Sequence, residues 1–216
     1  MTVSAIAIHI CADVLTTEPY RRWSTLVASR DTVQTIEAMS RDAGIAEHVR
    51  LTGEQATCEA LRAALDAATT GLDDDGLLVL TFSGHTERGD GPIEATRWCL
   101  ADGPIGVAEV AARLAQLPSR ARIVAIVDSC YAAAIKHVPL GPQAFALIGG
   151  CQEEQTMLER ARSELVVRLE QLHATSRRPS LQTVKALLED DTPDAERPCV
   201  WTTWPGWWNR QIFNVR

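Results

Sequence analysis

Short apolar runs alternate with amphipathic segments along the first two thirds of the chain. Residues 3–10, 77–82 and 123–127 are almost continuously apolar and rich in branched side chains, which is typical of strands buried on both faces. A weaker run of the same kind covers residues 145–148. We therefore predict four strands of one central sheet.

Segments with helical spacing of apolar residues lie between these runs, at residues 32–43, 54–69 and 107–117. Strands that alternate with helices indicate an α/β fold with a mostly parallel central sheet and helices on both faces, a three-layer α/β/α sandwich. The active sites of such sheets form at the carboxyl ends of the strands. The loops after residues 82 and 127 are therefore the places to look for chemistry.

The pattern changes beyond residue 150. Residues 152–172 and 180–188 are predicted helices, and no second domain is evident, so we predict a single domain over residues 1–216. Residues 173–179, with Arg177 and Arg178, are predicted to be an exposed loop, which is either simply solvated or a site of proteolytic processing. The Trp-rich segment 190–216 is predicted to pack on the same domain, with partner docking as the alternative.

Composition and charge exclude some classes of binding partner. The chain has 216 residues, 46% hydrophobic and 23% charged, as expected of one globular domain. With 21 basic and 28 acidic side chains it carries a net charge of −7, so nucleic acid is not an expected partner. No apolar run approaches the length of a membrane span, and no signal peptide is recognisable, so we predict a cytoplasmic protein without a membrane partner.

Six cysteines are spread along the chain without a CxxC pair. This spacing favours neither a zinc site nor a dithiol redox motif, and free thiols are expected in the cytoplasm. Five of the six are predicted to fill the core. No cofactor and no bound metal are predicted.

Two strand ends carry residues suited to catalysis. His85 follows the run at 77–82, and Cys130 follows the run at 123–127. Taken alone, His85 is more simply explained as a loop histidine, and Cys130 as a buried thiol. Together they suit cysteine catalysis, which needs a thiolate and an imidazole within hydrogen-bonding reach.

The segments LLVLTFSGH and RIVAIVDSCYAA resemble the caspase-like cysteine peptidases, and within them the bacterial metacaspase-like branch, in which SGH and DSC end corresponding strands. The intervening RWCLADGPIGVAEVAARLAQLP and the following FALIGGCQEEQTMLE resemble the same family. The resemblance covers residues 3–160. It implies a caspase-like fold, with Cys130 as nucleophile and His85 as general acid and base.

The same resemblance implies a specificity pocket for a basic side chain. Ser83 and Asp128, each two residues before a catalytic position, match residues that line the family's primary pocket, where a buried carboxylate would pair with a substrate Arg or Lys. The alternative role of Asp128 is to cap backbone amides at the strand end. No arginine lies beside Cys130, so the aspartate specificity of animal caspases is not expected.

Two positions depart from the family pattern. Thr86 stands where the family usually has glycine, whose amide forms the oxyanion hole with the amide of Cys130; a threonine still donates an N–H but resists a positive φ. In the early helix, LVASRDTV aligns only with a one-residue slip. Asp31 is then the candidate acidic partner in the pocket, with capping of the helix as its alternative role.

Some metacaspases are activated by calcium, and acidic residues raise that alternative here. They are Asp73, Asp74, Asp75, Glu87 and Asp90. Their spacing matches no known calcium loop, and the three aspartates before Gly76 are more simply a solvated turn that precedes a strand.

The favoured hypothesis is a cysteine endopeptidase that cleaves proteins after Arg or Lys. The resemblance implies a latent effector of a stress, cell-death or defence pathway, switched on by an activating protease or a regulatory partner. A second hypothesis, favoured by Thr86, is a caspase-fold interaction module with an unproductive dyad. A third is an unrelated thiol hydrolase or a flavodoxin-like binder, although no nucleotide-binding motif supports it.

Overall fold

We analysed a computed structural model, which describes residues 2–23, 26–88, 90–152, 163–175, 179–189 and 198–213. Several predicted features lie outside these residues. They are the first part of the helix predicted at 152–172, the arginine pair 177–178 and the start of the segment 190–216. Within the described ranges no helix is long and apolar enough to cross a membrane.

A six-stranded sheet forms the centre of the molecule, in the order β2-β1-β3-β7-β8-β9. Its strands are β1 (Val3–Ala12), β2 (Glu47–Thr52), β3 (Leu72–Gly84), β7 (Arg122–Asp128), β8 (Ala144–Gly149) and β9 (Cys199–Thr202). All neighbours pair in parallel except β8 and β9, which are antiparallel. The predicted mostly parallel sheet is therefore confirmed.

Helices cover both faces of this sheet. They are α1 (Val27–Asp42), α2 (Cys58–Gly71), α3 (Val107–Leu114), α4 (Glu164–Thr175) and α5 (Leu181–Glu189). One apolar cluster packs α1, α4 and α5 against one face, and a second packs α2 and α3 against the other. The three-layer α/β/α sandwich is confirmed.

Strand β3 shows why the central runs are apolar at nearly every position. Leu78, Leu80 and Phe82 belong to the cluster under α2 and α3, while Leu77 and Val79 belong to the cluster under α1. All five are inaccessible to solvent. Because a strand places successive side chains on opposite faces, burial of both faces removes the polar alternation of an exposed strand.

A smaller antiparallel sheet leaves the main one directly after β3. It consists of β4 (Thr86–Glu87), β5 (Arg97–Leu100) and β6 (Gly103–Gly106). It is anchored by the ring of Trp98, which stacks on that of Phe82 with 4.4 Å between centroids and 6° between planes. This contact fixes the small sheet against the carboxyl end of β3.

The structure differs from the predicted elements in several places. The strands β2 and β9 were not predicted, since β2 carries charged residues at an edge of the sheet and β9 has only four residues. Helix α2 begins at Cys58 rather than at residue 54, because Thr57 caps it by accepting a hydrogen bond from the amide of Ala60. The acidic run 73–75 lies inside β3, where the pairing with β1 shifts register, and not in a turn before it.

The C-terminal tryptophans meet the same apolar clusters. Trp207 is buried with the residues of α4 and α5, and Trp208 packs against that cluster. Trp201 lies in β9, with its ring 6.3 Å from that of Phe145 in β8. Trp204 is 37% exposed and is stacked by the Arg210 guanidinium.

A buried polar network lies between β1 and α1. His9 is fully buried; its Nδ1 lies 3.1 Å from the Thr81 hydroxyl and its Nε2 3.2 Å from Nδ1 of His48. Burial lowers the pKa of His9 to about 4, and the neighbouring His48 contributes in the same direction. Buried Glu37, which accepts from Arg41 and Arg50, opposes the shift but does not cancel it.

We expect His9 to make the fold sensitive to acid. Its pKa is lower in the folded chain than in the unfolded one, so the unfolded chain takes up the proton first and stability falls as the pH drops from 6.5 towards 4. Between pH 7 and pH 4 the free energy of unfolding should fall by about 3 kcal/mol through His9 alone. Urea titrations of wild type and His9→Gln at both pH values measure this difference.

The variant Thr81→Val serves as the control, since it perturbs the same network but leaves His9 able to titrate. Acidification from pH 7 to pH 4 should lower the free energy of unfolding of Thr81→Val as much as that of wild type. For His9→Gln the decrease should be about 3 kcal/mol smaller. An equal loss of stability on acidification in wild type and His9→Gln would contradict the role of His9.

Candidate active site

His85 and Cys130 lie at the carboxyl edge of the main sheet, beyond two neighbouring strands. The parallel pairing of β3 and β7 ends with Ser83 opposite Asp128. His85 and Cys130 each follow two residues later, and adjacent strands are about 4.8 Å apart. The fold therefore brings the two loops that carry these residues to the same place.

Direct contacts tie the two loops together. The Thr86 hydroxyl donates to the carbonyl oxygen of Cys130 at 2.5 Å. On the other side, the amide of Cys99 donates to the carbonyl of His85 at 2.9 Å, so β5 holds the backbone of the histidine. Hydrogen bonds to their own carbonyl oxygens thus hold the backbones of His85 and Cys130 in place.

The side chain of Trp23 packs beside His85. Its ring lies 5.0 Å from that of His85 in an edge-on arrangement, and it is 37% exposed. The preceding Tyr20 donates its hydroxyl to Glu87 at 2.9 Å, which anchors the segment over β4. Sequence reasoning missed Trp23, because nothing in the local pattern places this segment near His85.

A left-handed turn follows the cysteine. Tyr131 has φ 52° and ψ 31°, and it is the only non-glycine residue in the described chain with a positive φ. This conformation costs about 1–2 kcal/mol for an L-residue. It turns the chain sharply from β7 into the 3-10 helix Ala132–His137, which leaves Cys130 at the edge of the sheet.

Buried Cys151 supports this turn from within. Its thiol donates to the carbonyl of Ser129 at 3.2 Å and accepts hydrogen bonds from the backbone amides of Ala132 and Tyr131. Burial raises the pKa of Cys151 to about 12, so it stays a neutral thiol. Sequence reasoning placed it among the core cysteines and did not detect its contact with the Cys130 loop.

Asp128 is a buried carboxyl with unequal oxygens. Its Oδ2 accepts from the hydroxyls of Thr32 at 2.6 Å and Ser83 at 3.4 Å, whereas its Oδ1 has no hydrogen-bond partner among the described residues. Burial raises the pKa of Asp128 above its usual range, and hydrogen bonds from Thr32, Ser163 and Ser83 oppose that rise. The arrangement leaves one oxygen able to accept from a bound cation.

The early helix contacts this pocket through Thr32, which is fully buried and donates to Asp128. The neighbouring Asp31, the predicted acidic partner, is partly buried. The one-residue ambiguity in aligning this helix is the signal that pointed to the neighbourhood of Thr32.

The backbone at Thr86 has a conformation that is sterically favourable for a threonine. Thr86 lies in β4 opposite Trp98, is 7% exposed and is not among the residues with a positive φ. A β-branched residue is compatible with such an extended conformation. The positive φ that we considered for this position is instead found at Tyr131.

The acidic groups considered for calcium are separated. Asp73, Asp74 and Asp75 lie in the first part of β3, whereas Glu87 lies beyond its carboxyl end and contacts Arg97 at 3.3 Å. Within the described residues, no group of three His, Cys, Asp or Glu side chains is placed to hold a metal ion.

Cys130 is the one cysteine that is not buried; the other five are. Burial raises the pKa of four of these to about 12, namely Cys11, Cys58, Cys99 and Cys151.

Because the thiolate is the reactive species, iodoacetamide should alkylate the native protein once, at Cys130. Peptide mass spectrometry checks this, with Cys130→Ala, which should remain unmodified, as the control. Alkylation of a second thiol at a comparable rate would contradict it.

Two solved structures share this fold. Protein GSU0716 from Geobacter sulfurreducens is 20% identical, with a TM-score of 0.85, and the match covers 98% of this chain and 99% of that one. Caspase-1 from Spodoptera frugiperda is 10% identical, with a TM-score of 0.65, and the match covers 93% and 86%. No protein-family model and no curated protein matches the sequence. The chain thus has a caspase-like α/β fold.

Proposed function

We propose that this protein is a caspase-like cysteine endopeptidase, related to the bacterial metacaspase-like branch, that cleaves protein substrates after Arg or Lys. The observation that carries the proposal is the pairing of Ser83 with Asp128 at the end of β3 and β7, with His85 and Cys130 two residues beyond. The caspase-like fold and the partial exposure of Cys130 support it.

In the proposed reaction, Cys130 Sγ attacks the carbonyl carbon of the scissile peptide bond. An S–C bond forms and the C–N bond breaks, and the thiol proton passes through the His85 imidazole to the leaving amine. His85 then takes a proton from water, which hydrolyses the thioester. The acyl group leaves as a carboxylic acid and the Cys130 thiol is regenerated.

Two backbone amides would stabilise the oxyanion of the tetrahedral intermediate. We assign them to Thr86 and Cys130, by resemblance to the family. Each such donor contributes about 3 kcal/mol to the rate in other enzymes. The hydrogen bond from the Thr86 side chain to the carbonyl of Cys130 supports this assignment, because it holds the two donors at a constant spacing.

The buried carboxyl of Asp128 would select the basic side chain. Oδ2 is engaged by hydroxyls while Oδ1 has no described partner, so a guanidinium or ammonium group entering the pocket would gain a charge-assisted hydrogen bond. Ser83 lies opposite Asp128 in the paired strands and donates to the same carboxyl. Asp31 on α1 remains a candidate for a second, more exposed contact.

Regulation by a partner or an activating protease is part of the proposal, as is a role in stress, cell death or defence, on the basis of the family resemblance alone. Candidate processing sites between Arg160 and Arg178 lie partly outside the described residues. The arginine pair at 177–178 lies entirely outside them.

We expect thiol-dependent hydrolysis of fluorogenic peptides that end in Arg or Lys, and none of those that end in Asp. Cys130→Ala and His85→Ala should each lower kcat/KM by about a thousandfold or more, since both act in one chemical unit. Continuous fluorescence assays, run with and without calcium, measure this. Cys58→Ala is a matched control, because it removes a buried thiol in α2 that lies outside the candidate site.

The interaction module is the competing function, and the position of Thr86 is what favours it. Its signature would be no thiol-dependent turnover on any peptide or on a casein substrate, with all variants folded. Turnover that survives Cys130→Ala would instead reject the assigned nucleophile.

We expect Asp128→Asn to lower activity on Arg substrates without lowering the stability of the fold. Loss of the carboxylate should lower kcat/KM for Arg substrates by at least about a hundredfold, the cost of leaving a buried cation unpaired. The same change should raise the melting temperature, because a desolvated carboxyl with an unsatisfied oxygen destabilises the fold. Thr32→Val, which removes one hydrogen bond to Oδ2, should lower stability and serves as the comparison. Retained Arg cleavage in Asp128→Asn would overturn its proposed role.

A further inference from the structure

A second cavity lies at the amino edge of the sheet, at the opposite end of the strands from His85 and Cys130. Its volume is about 820 Å³, and it is lined by the first residues of β7 and β8, Arg122 and Ala144. The seven residues of β7 span roughly 20 Å. The cavity is therefore separate from the candidate active site.

Positive charge is concentrated in this cavity. Arg120, Arg122 and Arg210 line it, and Asp75 is the one acidic side chain among the described residues around it. The local formal charge is thus 3 − 1 = +2, in a chain whose net charge is −7. The Asp75 carboxylate lies 3.9 Å from Arg120, and both side chains are more than 70% exposed, so this pair is weak.

The arginines repel one another inside the cavity. Arg122 is half-buried; burial lowers its pKa, and the positive charge of Arg210 lowers it further. Asp75 acts in the opposite direction without cancelling these effects. An anion placed between the guanidinium groups would relieve this repulsion.

A buried amide and an aromatic ring also line the cavity. Gln143 is 3% exposed; its Nε2 donates to the carbonyls of Leu117 at 2.6 Å and Ala115 at 3.3 Å, which fixes the orientation of the amide. Its Oε1 is buried against Gly141, so the amide forms part of the wall and is not open to a ligand. The ring of Trp204 lines the cavity too, with the Arg210 guanidinium carbon 4.7 Å from its centroid.

We propose that this cavity binds a small phosphate-bearing molecule, with Arg120, Arg122 and Arg210 holding the phosphate groups. The guanidinium fork matches the oxygens of a phosphate in two-point hydrogen bonds. Trp204 offers apolar surface to the organic part of the same ligand. The volume lies within the range of small-molecule sites, about 300–1,000 Å³.

Isothermal titration calorimetry on the full chain tests this site without any reading of peptidase activity. The probes are pyrophosphate, ADP and citrate, of which citrate carries comparable charge but no phosphate. We expect pyrophosphate and ADP to bind at one site and citrate to bind at least about tenfold more weakly, because each carboxylate has one charge on two oxygens, whereas a terminal phosphate has more charge on three acceptor oxygens. Tighter binding of ADP than of pyrophosphate assigns a contact to the organic part.

Arg120→Gln and Arg210→Gln should each weaken the binding of pyrophosphate by about tenfold or more, the effect of losing one charge-assisted contact. Arg22→Gln is the matched control, because it removes the same charge from a side chain that is 82% exposed and lies outside the cavity. Arg210→Lys keeps the charge without the fork and should lie between wild type and Arg210→Gln. Circular dichroism melts confirm that each variant is folded.

Three results would overturn the proposal: no binding of pyrophosphate or ADP to the wild-type chain, equal weakening by Arg22→Gln and the cavity variants, or citrate binding as tightly as pyrophosphate. Since none of these measurements involves Cys130, a failure here leaves the proposed peptidase untouched. Equally, an inactive peptidase leaves this binding site intact.

Discussion

The parallel pairing of β3 with β7 is the interaction on which the rest of the structure depends. It joins two strands that are apolar on both faces, so that each apolar cluster of the sandwich is built on the same pair of strands. The pairing also fixes where both chains leave the sheet. Because its last step matches Ser83 with Asp128, a shift of one residue would place these two side chains on opposite faces of the sheet. The same strand pairing therefore determines both the packing of the core and the geometry of the site.

The carboxyl edge carries groups that the fold would be more stable without. Asp128 is desolvated with one oxygen unsatisfied, and Tyr131 occupies a left-handed conformation. Both are held by neighbours from other elements: hydroxyls from α1 and β3 surround the carboxyl, and the buried thiol of Cys151 binds the turn. Local instability that is maintained by its surroundings is typical of functional sites.

Sequence patterns predicted the fold class because strands buried on both faces leave an unmistakable run of branched apolar residues. They failed for β2 and β9, where an edge position permits charged residues or a length of only four. For the site, spacing placed His85 and Cys130 beyond neighbouring strands. Contacts across distant segments, such as Trp23 on His85 and Thr32 on Asp128, had no local signal, because they arise from the packing of α1 and its preceding segment over the sheet.

The two edges of the main sheet differ in how they can meet another chain. At one edge, β9 runs antiparallel to β8 and uses the hydrogen-bonding groups that β8 would otherwise present. At the other edge, β2 exposes Glu47 and Arg50, and charged side chains on an edge strand oppose the addition of a further strand. A second molecule that extended the sheet at the first edge would have to pair with β9, which offers only four residues where β8 would offer six. The short β9 therefore limits edge-to-edge aggregation.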